Sequence, residues 1–141
     1  MRRRVLIMIL AVAIMPKMAF GSEFFKVIVH PGVEITSISK TELKHIFLKK
    51  TTKSSDGQWI KPVDQKKSST VRQAFTKAIH GRSVSAVKNY WQQRIFSGRG
   101  VPPIEKRSDA HVLSYVLSHP GAVGYVSAAA PSAGAKVITV K

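Results

Sequence analysis

Between residues 71 and 79 the apolar side chains Val71, Ala74, Phe75, Ala78 and Ile79 recur at i, i+3, i+4, i+7 and i+8. That spacing gathers them into one stripe along an α-helix. Ser68 or Ser69 can cap the start of this helix and Gly81 can close its end. A shorter helix is predicted over Lys40 to Leu48. Ser39 and Glu42 have capping-box spacing, and Leu43, Ile46 and Phe47 share a face. Ser83 caps a third helix with Val84, Val87, Tyr90, Trp91 and Ile95 inward. Ser108 caps a fourth, carrying Val112, Leu113, Val116 and Leu117, which Pro120-Gly121 ends.

Strands read from β-branched apolar runs bounded by turn residues. They are Phe24 to Val29, stopping at Pro31-Gly32, then Trp59 to Val63, Ala122 to Val126 and Val137 to Val140. Lys49 to Gly57 reads as a charged surface loop, Asp64 to Lys67 as a polar turn, and Ser97 to Pro103 as a loop. This order of elements implies a layered α/β domain. No internal repeat is present.

The first residues follow a different pattern. Arg2, Arg3 and Arg4 precede an unbroken apolar run from Val5 to Met15, and Ala19-Phe20-Gly21 offers small residues for cleavage. This is the layout of a secretory signal peptide. The run is well short of the ~20 residues needed to span a bilayer. Residues 1–21 are therefore expected to be removed on export to the periplasm, leaving residues 22–141 as one domain with one core.

Composition then narrows the function classes. Residues 1–21 hold four of the 23 basic residues and none of the seven acids, so the remaining domain carries a surplus of +12. Such a surface attracts anions. Nucleic acid is disfavoured as the physiological partner because export removes the protein from it. With no cysteine, there is no disulfide, thiolate nucleophile or cysteine metal site.

The strand-to-helix junction Asp64-Gln65-Lys66-Lys67-Ser68-Ser69-Thr70-Val71-Arg72 is the candidate site. Ligands of layered α/β domains gather where strands end and helices begin. The first amides of a helix have no partner within it and carry partial positive charge. Three hydroxyls and two ammonium groups would converge there, making an anion site without catalytic groups. The same residues are equally those of an ordinary serine N-cap beside a solvated basic turn. Elsewhere the histidines (His30, His45, His80, His111 and His119) have no metal-ligand spacing. No nucleophile elbow is present either, so neither a cofactor nor an enzyme activity is expected.

Longer stretches carry a family resemblance. Glu42-Leu43 through Leu48, a charged loop with Gly57 and Trp59, and Ile60 to Asp64 resemble the second lobe of phosphate-type periplasmic binding proteins. The likeness runs on through Ser69, Arg72, Phe75, Tyr90-Trp91, Ser97-Gly98, Pro102-Pro103, Ser108-Asp109 and Val112. It closes on Pro120-Gly121-Ala122-Val123-Gly124-Tyr125-Val126, its most specific piece. The resemblance implies a single lobe of the type II periplasmic-binding-protein-like fold, with a central mixed sheet flanked by helices. It implies a non-enzymatic substrate-binding component of phosphate ABC transport, working with a membrane transporter. Ser69 falls where that family has a ligand-binding serine, with Thr70 and Val71 beside it. Gln65 falls near where an arginine is expected, so Lys66 or Lys67 would serve as a point charge lacking the bidentate fork. A single lobe leaves its anion facing water, which implies binding of about 0.1 mM or weaker unless two copies pair into a homodimer. The alternative is an interaction module that has lost its ligand and docks on an envelope protein or a polyanionic surface.

Overall fold

A computed structural model describes residues 24–141. The export segment expected at residues 1–21 lies outside the described residues. Six strands form one mixed sheet: β1 (Phe25–Val29), β2 (Ser37–Ile38), β3 (Lys61–Gln65), β4 (Ile104–Lys106), β5 (Ala122–Ser127) and β6 (Lys136–Val140). Their order is β2-β6-β1-β5-β3-β4. β1 runs antiparallel to both β5 and β6, whereas β3 is parallel to β4 and β5, and β2 is parallel to β6.

The period-2 alternation of β1 and β5 divides the core between the two faces of the sheet. Phe25, Val27, Val29, Val123 and Tyr125 point to one face, where they meet Leu43, Ile46 and Phe47 of α1 (Lys40–Phe47) and Val71 and Phe75 of α2 (Thr70–Phe75). Ile28, Ala122 and Val126 point to the other and pack on Val112 and Val116 of α4 (Asp109–Ser118). The mixed α/β architecture expected from the sequence is therefore observed, with helices on both faces. Gly124 sits where α4 crosses the sheet. A Cβ there would lie 2.7 Å from Val63 and 2.8 Å from Val112, so the close approach of α4 needs a glycine. Gly121, at φ 81°, faces the Trp59 carbonyl at 2.4 Å from where its Cβ would be. These two steric limits account for both glycines of the Pro-Gly-Ala-Val-Gly-Tyr-Val segment.

Ser39, Ser69, Ser83 and Ser108 each accept a hydrogen bond from the backbone N–H three residues on, so all four predicted N-caps are formed. The Glu42 carboxylate does not complete the capping box. It turns to the loop and accepts from the Ser55 amide at 3.2 Å. At the other end of α1 the chain reverses through Lys49, at φ 52° the one described non-glycine residue with positive φ. The Lys50 amide there bonds back to the His45 carbonyl at 2.9 Å. A glycine at such a position avoids the ~1 kcal/mol that a side chain costs in the left-handed region.

Several expectations are corrected. Asp64 and Gln65 are not in a turn; they are the last residues of β3, with 6% and 2% exposure. The strand starts at Lys61, and Trp59 stands exposed before it. Ile95 does not face inward. Along α3 (Val84–Phe96) Val87 and Trp91 are buried, whereas Ile95 and Phe96 in its last turn are 52% and 97% exposed. The short strands β2 and β4 have too few apolar residues to read as strands.

The stripe over 71–79 also departs from regular geometry. After Phe75 the helix widens into a π-helical turn, Thr76–His80, which Gly81 closes in the left-handed conformation. The extra residue per turn shifts the inward face, and Thr76 and His80 become buried beside Ile79. The ring of His80 meets Phe75 edge-on at 6.1 Å, and its Nδ1 has no partner. Burial, with Lys44, Arg72 and Arg82 nearby, lowers its pKa from 6.5 to about 4.

Two outcomes follow from this packing. Gly124→Val should destabilise the protein by about 1–3 kcal/mol, through overpacking against Val63 and Val112, in urea denaturation. The depressed pKa of His80 means that only the unfolded chain takes up its proton between pH 6.5 and 4. Stability present above pH 6.5 is therefore lost across that window, by up to roughly 3 kcal/mol. The loss should shrink in His80→Gln when stability is followed against pH.

Candidate functional site

β3, β4 and β5 run parallel, and their carboxyl ends meet the start of α2 and the start of α4. The groups placed there form one connected network. Arg72, 4% exposed, reaches back from the first turn of α2 under the end of β3. Its Nη1 donates to the Gln65 carbonyl at 2.6 Å and to Glu105 Oε1 at 3.0 Å. Its Nε lies 3.2 Å from Asp64 Oδ1, paired by charge without hydrogen-bond alignment. The Tyr125 hydroxyl donates to the same Asp64 oxygen.

Burial pushes the Asp64 carboxyl above the usual range, against the opposing Arg72 charge and the Tyr125 hydrogen bond. Burial, then the charge of Asp64, raises Tyr125 as well, so its phenol stays a donor. Gln65 completes the frame. Its Nε2 donates to Asp109 Oδ1 at 2.7 Å and to the Tyr125 carbonyl at 3.0 Å. Its Oε1 accepts from Ser69 Oγ at 3.1 Å. Asp109, in the first turn of α4, also accepts from the Ser127 amide at 3.1 Å, so it ties α4 to β3 and β5.

The residues nominated from sequence thus separate into two sets. Gln65, Ser69 and Arg72 are brought together but are bonded to the protein itself, and Val71 turns its side chain into the core. Lys66, Lys67, Ser68 and Thr70 form the exposed rim. The Ser69 hydroxyl caps the Arg72 amide, and Gln73 donates to the Ser69 carbonyl. Among the described residues, none accepts from the Thr70 and Val71 amides. Below this rim a hollow of about 100 Å³ is lined by Lys67, Arg72, Lys88, Gln92, Asp64 and Glu105, with Trp91, Ile95, Pro102 and Pro103 as its apolar walls. Lys88, Gln92, Glu105 and Tyr125 were not nominated from sequence, because only the fold brings them to α2. Among the described residues, no cluster of three His, Asp or Glu side chains could hold a metal ion, and no helix is long and apolar enough to cross a membrane.

No protein-family model matches the chain, and no curated protein does. Solved structures do. An ABC-type phosphate transport receptor from Vibrio cholerae superimposes with a TM-score of 0.65 at 17% identity, over 83% of this chain and 46% of the receptor. A protein from Clostridium perfringens, described as a phosphate ABC transporter substrate-binding protein and solved with bound phosphate, gives 0.65 and 17%, over 83% and 44% of the two chains. The PstS protein of Borrelia burgdorferi gives 0.58 and 18%, over 84% and 47%. The fold is that of phosphate receptors. The chain spans just under half the length of these receptors.

The network makes a prediction of its own. Arg72→Met should destabilise by about 3–5 kcal/mol, because it leaves the Asp64 carboxylate buried without its cation. Adding Asp64→Asn should recover part of that loss, which a double-mutant cycle in urea would measure.

Proposed function

We propose that this protein is an exported, non-enzymatic binding domain for phosphate or another small oxyanion, formed by residues 22–141 after removal of residues 1–21. The observation that carries the reading is the open, cation-rimmed start of α2 at the carboxyl end of β3, in a fold shared with phosphate receptors. The anion would rest on the Thr70 and Val71 amides, with the Ser68 hydroxyl and the Lys67 ammonium at the rim. Arg72 would act from beneath, holding the α2 start against β3 and adding positive potential. Gln65 and Ser69 would position the turn rather than touch the ligand, since their polar atoms are bonded to one another.

The chemistry has no use for a nucleophile. Binding and release of an anion need only donors that are desolvated on one side and reachable from the other. With water on the open side each contact is weak, and a dissociation constant of about 0.1 mM or weaker is expected. A membrane transporter is the partner that the likeness to ABC-type receptors proposes.

A second reading, docking on an envelope protein, draws support from the internal bonding of Ser69 and Gln65, which leaves fewer free donors than a dedicated receptor would present. Isothermal titration separates the two. Protein recovered from the periplasm should begin at Ser22 and bind phosphate saturably, and Lys67→Ala should weaken binding about threefold to tenfold. No heat at millimolar phosphate would leave only the docking reading.

A further inference from the structure

The start of β3, at the opposite end from the candidate anion site, borders a second concavity. A groove of about 310 Å³ runs between the loop after α1 and the first residues of β3 and β4. Trp59, Ile104 and Tyr115 give it apolar walls, and Lys49 and Lys61 line it. Trp59 is 65% exposed and Ile104 45%, so large apolar groups face solvent on a concave surface. Two further lysines sit against its aromatic rings. Lys53 Nζ lies 4.7 Å from the centre of Trp59, and Lys106 Nζ 5.2 Å from that of Tyr115. No carboxylate lines the groove.

The backbone supplies an independent observation. Lys49 holds the left-handed conformation that closes α1, a position where glycine would be unstrained. Strain retained at a site-lining residue points to a role for its side chain. Packing does not explain it, since Lys49 is exposed.

We propose that this groove docks an acidic, apolar-anchored peptide segment of an envelope protein. Charge complementarity favours an anionic occupant: Lys49 and Lys61 line the groove, Lys53 and Lys106 stand over its aromatic rings, and no carboxylate is among its lining residues. The concave, aromatic walls favour a segment that inserts an apolar side chain between Trp59 and Ile104 while its carboxylates meet Lys49 and Lys61. A flat anionic lipid surface would need these groups on a protrusion. The groove also adjoins β4, the edge strand, which pairs only with β3. An extended peptide could lie along such an edge.

The probe is a short fluorescein-labelled peptide of alternating glutamate and leucine, followed by anisotropy against the full protein at moderate salt. Glutamate–serine and serine–leucine peptides of equal length report charge alone and apolar contact alone. Saturable binding of the glutamate–leucine peptide is expected, at least about tenfold tighter than either control. Trp59→Ala should weaken it about tenfold. Lys49→Gly should weaken it severalfold while the midpoint of thermal unfolding stays the same or rises, a combination that a merely structural lysine would not give. Added phosphate should leave binding unchanged, which separates this groove from the start of α2. Equal affinity for all three peptides, an unaltered affinity in Lys49→Gly, or binding only to vesicles rich in anionic lipid would overturn the proposal.

Discussion

One buried guanidinium holds the carboxyl end of the sheet together. Arg72 comes from α2, yet its partners lie on β3 and β4, and through Asp64 it reaches Tyr125 of β5. Gln65 extends the connection to Asp109 at the start of α4. Burying a charge is costly unless it is paired and hydrogen-bonded. Three backbone segments must therefore be correctly placed before Arg72 is satisfied. The network specifies where α2 begins relative to the strands, and with it where the free amides of Thr70 and Val71 are presented. The aromatic stack of Phe75 on Tyr125, with ring centres 3.8 Å apart and planes nearly parallel, fixes the same relation from the apolar side.

This use of acids also shapes the surface. Asp64, Glu105 and Asp109 serve the network, Glu42 binds the Ser55 amide, and Asp56 binds the Ser54 hydroxyl and the Gln58 amide. Both ion pairs among the described residues involve Arg72. The remaining lysines and arginines there have no carboxylate within ion-pair distance. The surplus of lysine and arginine outside the network is therefore left without local ion pairs and faces water. A surface of that kind recruits anionic ligands from a distance, and local geometry selects among them.

The elements of the fold were largely legible in the sequence because most are set by local rules. Each serine cap precedes an apolar stripe, and β1, β5 and β6 are rich in β-branched residues. What escaped was set by partners distant in sequence. Asp64 and Gln65 read as a polar turn, since nothing nearby reveals that Arg72 will neutralise one and that Tyr125 and Asp109 will bond the other. The inward positions of Thr76 and His80 depend on a π-helical turn that the 3.6-residue period does not contain. Ile95 fits the α3 stripe, but its exposure depends on what the fold places against the last turn, which the stripe does not contain. At the candidate site, the strand–helix junction and its free amides were foreseeable. That Ser69 would be committed to Gln65 was not.

The proposed anion site and the proposed peptide groove lie at opposite ends of β3. At about 3.3 Å per residue, Lys61 and Gln65 are roughly 13 Å apart, beyond the screening length of ~8 Å at physiological salt. Charges at one end therefore bias the other only weakly, and coupling between them would have to pass through the strand and the Arg72 network. Arg72, Asp64 and Gln65 of that network are buried and bonded to one another's segments, which favours independence. A small anion and a partner segment could then be held at once, one at each end of the same strand, without competing for a lysine. An anion site open to water on one side holds its ligand weakly, and a second, separate contact would keep a partner segment bound while the anion comes and goes.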